Sequence, residues 1–291
     1  MNFALPDFSK NFEEEKHIQD EDFAYFQALV LSIAGISLSE KKRDLLKTRL
    51  GPYIRDNNHG NYKEYRRYLE GLPEEHPEWQ NLINLITTNK TDFFREPAHF
   101  EYIETKLIPE WVKMGKKEVR IWSAACSSGE EPYTLAMFLK KKLPAGMTFK
   151  ITASDIDTNI LSRAKNGVYP IAKFNEIPEE FQKDSIDMGT GAISEWFRVK
   201  KKLKDHIDFK LYNLIEDNLP SDELFDLVLC RNVMIYFPKE VIKIVADKIY
   251  KATTNEGCLF IGHSESLQAI KSSWFTAAPS IYKKTASGKR K

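Results

Sequence analysis

Two hydrophobic rhythms divide the chain. Up to about residue 88 the apolar positions recur at helical spacing. DEDFAYFQALVLSIAG carries such a stripe and reaches a glycine, Gly35, at a C-cap position. SLSEKKRDLLKTRLGPYIRDNN starts at an N-cap serine, Ser37 or Ser39, and NYKEYRRYLEGL and PEWQNLINLITTN repeat the pattern. Short polar connections predict a compact helical domain over residues 21–88. A polar, loosely held segment over 1–20 precedes it, and residues 89–117 read as a linker that also contacts a cofactor.

From residue 118 short apolar runs alternate with helical patterns. EVRIWSA, FKITASD, HIDFKLYNL, FDLVLCRNV and GCLFIGHS read as strands. PYTLAMFLKKKL, with Pro132 suited to a first turn, NILSRAKNG, stopped by Gly167, and KEVIKIVADKIYKAT read as helices. Such alternation predicts an α/β fold with a parallel, doubly wound, Rossmann-like sheet over residues 118–284. WFTAAPSIYKK adds edge strands, and 285–291 is a tail. Residues 168–206 are too long for a βα loop and carry the strand-like FRVKKKL after the glycine turn MGTG, so they read as an inserted antiparallel β-subdomain.

Composition narrows the function. With 43 basic and 42 acidic residues the chain has no global field for nucleic acid. Its three cysteines, Cys126, Cys230 and Cys258, are far apart and form no CxxC pair, which suggests reduced thiols and neither a zinc site nor a disulfide framework. The start lacks a secretory pattern and no apolar run reaches the ~20 residues of a membrane span, so a cytoplasmic protein with no membrane insertion is expected.

The informative loop is SAACSSGEEP, residues 123–132, after the first strand. Ligands of open α/β sheets bind beyond the carboxyl ends of the strands. A dinucleotide site needs GxGxxG so that pyrophosphate can approach the backbone, and that pattern is absent. Glu130 and Glu131 would repel phosphate and favour a positive group. An adenosine cofactor with cationic centres and no phosphate fits, and S-adenosylmethionine is such a molecule. Its carboxylate needs a basic partner elsewhere. Asp155, closing the second strand, suits the ribose hydroxyls, and Asp157 suits a helix cap.

WSAACSSGEEPYTLA, SDIDTNIL, CRNVMIYF and GHSES, with TTNKTDFFREP upstream, resemble the chemotaxis receptor methyltransferases, the CheR family, and the likeness runs from about residue 22 to 283. The resemblance implies an all-α N-terminal domain and an S-adenosylmethionine-dependent methyltransferase domain with a small inserted β-subdomain. It implies transfer of methyl to glutamate γ-carboxylates on the cytoplasmic helices of chemoreceptors, giving glutamyl methyl esters and S-adenosylhomocysteine, in chemotaxis adaptation. It places Asn89, Thr91, Arg95, Glu130 (with Glu131), Asp155, Asn213, Leu214, Arg231 and Asn232 at the cofactor, with Arg95 on its carboxylate. Arg231 and Tyr236 become candidates for orienting the substrate glutamate. A carboxylate nucleophile is already ionised at neutral pH, so no general base is required, and His263 of GHSES reads as structural. No metal is expected.

KKRDLLKTRLGPYIR has six basic residues and one acid. Lys42, Arg43, Lys47 and Arg49 flank a stripe of Leu46, Leu50 and Tyr53. Composition alone makes this a solvated face, and the resemblance makes it a receptor-binding one. Some family members also bind a receptor C-terminal peptide by strand addition at the β-subdomain. MGTGAIS has two glycines, with Ala192, Ile193 and Ser194 where a further glycine is expected. A monomer is the default. Three rival readings are a methyltransferase for an amine or small molecule, a receptor-binding scaffold without catalysis, and an NAD-type oxidoreductase. They are opposed in turn by the missing Asn-Pro-Pro-Tyr-type loop, by the intact Arg95, Asp155 and Arg231, and by the missing glycines.

Overall fold

The computed structural model describes residues 18–216 and 218–285. The expected segment 1–20 and the tail 285–291 therefore lie largely outside the described residues. The chain forms two units, divided between Thr88 and Asn89.

The first unit is helical. Helices α1 (Asp20–Ala34), α2 (Arg43–Asp56), α3 (Tyr62–Glu70) and α4 (Glu78–Ile86) are built on the stripes seen in the sequence. Phe23, Phe26 and Val30 of α1 meet Leu46, Leu50 and Ile54 of α2, Tyr65 and Leu69 of α3, and Leu82 and Ile86 of α4 in one core. Spacings of three and four residues put each set on one helix face. Gly35 ends α1 in the left-handed conformation (φ 70), and Ser39 precedes a 3-10 turn that leads into α2. Buried Glu78 is satisfied by the hydroxyls of Tyr65 (2.7 Å) and Tyr53 (2.9 Å) and by Asn81 Nδ2 (3.0 Å).

The second unit carries a seven-stranded sheet in the order β6-β2-β1-β7-β8-β10-β9. Strands β1 (Glu118–Ala124), β2 (Thr148–Asp155), β6 (Ile207–Leu211), β7 (Phe225–Cys230) and β8 (Thr253–Ile261) are parallel. Strands β9 (Phe275–Ala278) and β10 (Ile281–Lys283) close the sheet antiparallel, with β10 between β8 and β9. Successive side chains leave opposite faces of a strand, and both faces are buried here. Val119, Ile121, Leu227, Leu229 and Phe260 enter one core; Trp122, Ala124, Val228, Cys230 and Ile261 enter the other. The first core is covered by α7 (Glu130–Lys142), the second by α11 (Lys239–Ala252) through Val245, Ala246 and Ile249.

Residues 89–117 are more than the expected linker. They form α5 (Pro97–Tyr102), a π-turn (Ile103–Leu107) and α6 (Ile108–Lys113). Phe100, Ile103, Leu107 and Trp111 of this stretch are buried in the first core, so hydrophobic burial makes it part of the second unit. After α8 (Thr158–Asn166) comes the insertion. It holds a three-stranded antiparallel sheet, β3-β5-β4, from β3 (Val168–Pro170), β4 (Ile186–Met188) and β5 (Trp196–Val199), with helix α9 (Glu179–Ser185) before β4 and α10 (Lys201–Lys204) after β5. The order of the large sheet turns at β1. Chain connections run outward to β2 and β6 on one side and to β7 and β8 on the other. The loops after β1 and β7 therefore flank the crevice in which an open α/β sheet takes its ligand.

Candidate active site

Between β1 and α7 the chain turns sharply, with Ala125, Ser127 and Gly129 at φ 64, 50 and 94. Non-glycine residues stay in that region only where their surroundings hold them. Ser127 donates its N–H to Asp155 Oδ2 (2.8 Å) and its hydroxyl to Asn89 O (3.1 Å). Cys126 N–H reaches Ser154 O (2.8 Å), and Gly129 N–H reaches Cys126 O (3.0 Å). Gly129 is required: a Cβ there would stand 3.0 Å from Ala164 Cβ and from the Tyr169 hydroxyl. These three N–H groups are committed to the protein's own acceptors, and Glu130 and Glu131 set carboxylates in the first turn of α7, where they disfavour a phosphate.

Asp155 closes β2 and is 6% exposed. Burial pushes its carboxyl up to about 6, against the stabilising backbone N–H donors of Asp157 and Ser127. Those two donors occupy one site on each oxygen, and the Ile156 N–H adds a third bond. A carboxylate has about four lone-pair sites, so some acceptor capacity toward a ribose remains. Asp157 is the helix cap, accepting from Asn159 N (2.9 Å) and Ile160 N (3.0 Å), and it also takes Asn89 Nδ2 (2.8 Å). Asn89 thus ties the start of this unit to α8.

Glu130 and Glu131 begin α7 and do different things. Glu130, 1% exposed, pairs with Lys173 Nζ (2.8 Å) and accepts from Ser128 Oγ (2.6 Å). Lys173 also donates to Thr91 O (2.6 Å), so Thr91 enters through its carbonyl. Glu131 accepts from Ser123 Oγ (2.6 Å) and pairs with Arg231 Nη1 (3.2 Å). Burial raises the Glu131 carboxyl, and Arg231 only partly offsets this.

Arg231 leaves the end of β7 with its side chain 3% exposed. Its guanidinium reaches Glu96 Oε2 (3.2 Å), Glu131 Oε2 (3.2 Å) and Arg95 O (2.5 Å). Burial pushes the Glu96 carboxyl up, but Arg231, the His263 N–H and the His99 ring outweigh it and hold that carboxyl below its usual value. Three of the five N–H donors of Arg231 are thus taken by two carboxylates and a carbonyl, so it holds the fold together besides its expected place beside the substrate. It pins residues 94–96, where Phe94 and Glu96 take φ 51 and 61, against β7 and α7. Arg95 makes no ion pair among the described residues, only a long hydrogen bond to Lys90 O (3.4 Å), and so can take a ligand carboxylate as a bidentate fork.

Asn232 sits at φ 58 and gives its N–H to Glu265 Oε2 (2.9 Å). Glu265 also receives Ile235 N (3.2 Å) and Gly262 N (2.5 Å), and so shapes the loops after β7 and β8 together. Tyr236 lies half-buried on a 3-10 turn of that loop. Asn213 and Leu214 follow β6, beside β2; Asn213 Oδ1 accepts from Ile215 N (3.2 Å), and the Leu214 carbonyl from Lys248 Nζ (2.8 Å). Asn89 and Asp155 are thus joined through Ser127, Thr91 and Glu130 through Lys173, and Arg95 and Arg231 directly. Glu96, Lys173 and Glu265 had not been singled out in the sequence. Glu96 and Glu265 stand inside motif blocks, which was a usable signal, whereas Lys173 gives none.

In the helical unit two of the four basic residues hold the domain itself. Arg43 pairs with Asp20 (2.9 Å) and Glu40 (3.0 Å), reaches Ile18 O, and lies 4.2 Å from the centre of the Phe23 ring. Arg49 donates to the carbonyls of Leu85 and Thr87 at the end of α4. Lys42 reaches Ser37 O (3.3 Å), and Lys47 makes a loose pair with Asp44 (3.5 Å). The three cysteines are buried and unpaired. Among the described residues no helix is long and apolar enough to cross a membrane.

Comparison with known proteins gives a consistent answer over nearly the whole chain. Residues 21–87 match the model described as CheR methyltransferase, all-alpha domain, and residues 89–283 match CheR methyltransferase, SAM binding domain. The chain is 34% identical to the chemotaxis protein methyltransferase of Borreliella burgdorferi over 92% of its own length and 95% of the relative's. It is 36% identical to chemotaxis protein methyltransferase 2 of Pseudomonas aeruginosa, covering 87% of this chain and 89% of that one. For the Escherichia coli chemotaxis protein methyltransferase the identity is 34%, over 92% of each chain.

Proposed function

The chain belongs to the CheR methyltransferase family, and from that premise we propose how its residues divide the work of methylating chemoreceptor glutamates. It is an S-adenosylmethionine-dependent protein-glutamate O-methyltransferase of chemotaxis. Bound S-adenosylmethionine supplies an electrophilic methyl group and departs as S-adenosylhomocysteine. The observation that carries the division of labour is the crevice after β1 and β7, lined by the carboxylates of Asp155, Glu130 and Glu131, which disfavour phosphate. These donors and acceptors fit a ligand with a diol, two cations and one carboxylate.

Asp155 accepts from the ribose through its remaining acceptor capacity. Arg95 forks the ligand carboxylate. Glu130 offers the ammonium an acceptor that Lys173 otherwise holds. Asn213 and Leu214 border the adenine, and Asn89, Thr91 and Asn232 hold the loops in place. Arg231 acts as a positioning residue through Glu96 and Glu131, while Tyr236 is placed to steer the incoming carboxylate. The acceptor arrives ionised at neutral pH, so the chain's task is alignment at near-attack distance.

The chemoreceptor's methylated cytoplasmic helices contact the helical unit at Lys42 and Lys47, leaving Arg43 and Arg49 to the bundle. The terminal strand β4, with Met188, Ile193 and Trp196 exposed nearby, adds a receptor C-terminal peptide as a further strand. The protein works in the cytoplasm as a monomer.

A labelled-methyl assay tests the reading. The protein is incubated with labelled cofactor and membranes bearing chemoreceptors, and the product is treated with base. Label on the receptor that leaves as methanol is the expected result; base-stable label, or none, overturns the glutamate assignment. Tyr236→Phe is expected to lower turnover at saturating cofactor without weakening cofactor binding, and unchanged methylation would remove Tyr236 from its role.

A further inference from the structure

Glu96, His99 and His263 bring one potential metal-ligand atom each to within 4.8 Å of one another. Glu96 and His99 are three residues apart at the entry to α5, and His263 follows β8. His99 is 1% exposed. Its Nδ1 has no hydrogen-bond partner, although Glu96 Oε2 stands 3.3 Å away.

Ser280 reveals why. Its hydroxyl donates its single proton to Pro279 O (2.7 Å). Toward His99 Nε2, 3.0 Å away, Ser280 is therefore an acceptor. Nε2 carries the ring hydrogen, and Nδ1 presents a bare lone pair to a carboxylate oxygen. A buried ring nitrogen without a hydrogen-bond partner, beside a carboxylate oxygen, calls for an explanation, and a cation held between the two supplies one.

We propose that Glu96 Oε2, His99 Nδ1 and His263 Nε2 bind one divalent transition-metal ion of zinc-like preference. Carboxylate and neutral imidazole are the ligands such an ion takes. Metal–ligand bonds of about 2.0–2.2 Å at tetrahedral angles set neighbouring ligand atoms about 3.3–3.6 Å apart. The Glu96–His99 pair, at 3.3 Å, already has that spacing. His263 Nε2 lies 3.9 Å from the same oxygen on a side chain that is 56% exposed, so a small ring rotation completes the set. Ser280 gives the second ring nitrogen of His99 the orienting partner that ligating histidines use. Both histidines line a cavity of about 510 Å³ that also touches Tyr102 and Pro279, which gives the ion a way in. The opposing charge is Arg231, whose Nε is 3.2 Å from Glu96 Oε2. The ion competes with Arg231 for that oxygen, and Arg231 keeps Glu131 and the Arg95 carbonyl. Bound there, the ion modulates the Arg231 clasp and touches no reacting atom.

The test is a binding measurement on the full chain and does not depend on methyl transfer. Chelator-stripped protein is titrated with Co²⁺, followed by its ligand-field absorption, and then with Zn²⁺. The parent is compared with His263→Ala and Ser280→Ala, each checked by near-UV circular dichroism. One Co²⁺ per chain, displaced by Zn²⁺, is expected. His263→Ala should weaken binding by at least about tenfold, and Ser280→Ala by about tenfold, as loss of an orienting partner does. Absence of stoichiometric binding overturns the proposal, as do equal affinities in the parent and His263→Ala.

Discussion

Replacing Arg231 by methionine would leave two buried carboxylates without their shared cation. Glu96 and Glu131 are 10% and 12% exposed, and both lie 3.2 Å from the guanidinium. Removing one partner of a buried ion pair costs about 3–5 kcal/mol, because the remaining charge is stranded. For a unit of this size each kcal/mol moves the melting temperature by about 2–4 °C, so a fall of about 6–20 °C is expected at neutral pH. The pH dependence identifies the cause. In the parent, Glu96 is held below its usual value and contributes stability at neutral pH that is lost as pH falls through its folded pKa. Without Arg231, burial governs both carboxyls and raises them. The folded variant then binds more protons than its unfolded chain and loses stability as pH rises. The parent–variant gap should therefore be small in mild acid and widest near neutrality. Urea midpoints at about pH 5 and about pH 7.5 measure it, within the range where carboxyl linkage acts. Trp111, Trp122, Trp196 and Trp274 all report on this unit, against Trp79 alone in the helical one. An equal gap at the two pH values, or one below about 1 kcal/mol at neutrality, would refute the clasp.

Three further outcomes are expected. Cofactor affinity, measured calorimetrically, should rise as pH climbs through about 6, because only ionised Asp155 offers full acceptor strength to the ribose; Asp155→Asn should flatten that profile. Gly129→Ala forces a side chain into φ 94 beside Ala164 and Tyr169; a loss of about 1–3 kcal/mol in urea unfolding is expected, with weaker cofactor binding. Arg49→Ala removes the donor at the end of α4 and should destabilise the helical unit by about 1–3 kcal/mol, whereas Lys47→Glu should leave stability within about 0.5 kcal/mol and reduce receptor methylation, the cofactor affinity of both variants staying at the parent value.

The elements were legible where burial follows a simple period. The stripes of α1 to α4, the strands β1, β2 and β7, the cap at Asp157 and the inserted sheet all stand where hydrophobic spacing and turn residues put them. Residues 97–113 were harder. Two prolines, Pro97 and Pro109, and a π-turn break the helical register, and only tertiary packing against the sheet shows that the stretch belongs to a core. Arg231 was placed at the cofactor and substrate, but its contact with Glu96 was not legible, because 135 residues of chain separate the pair. Lys173 had no local signal, since its meaning lies in Glu130 and Thr91, on other elements. Arg43 and Arg49 show the same limit: charge on a helix face does not say whether the charge meets solvent, a partner or the domain's own carbonyls.

Charge explains why acids stand where a phosphate binder keeps bare amides. Glu96, Glu130, Glu131 and Asp155 are bonded into the loops at the crevice, and Arg231 and Lys173 are the cations bonded to them. Lys173 is also shared with Asp92 and Glu176, and buried Asp157 stands beside Asp155, so acids outnumber the cations bonded to them even with Arg95 nearby. S-adenosylmethionine brings an ammonium, a sulfonium and a carboxylate, a net single positive charge, and offsets part of that excess. A dinucleotide would instead add two negative charges to a pocket already negative. The selection is therefore electrostatic before it is steric. It also explains why the carboxylates can be buried: each is held by a partner in the folded chain, and the residual field is what the incoming cation meets.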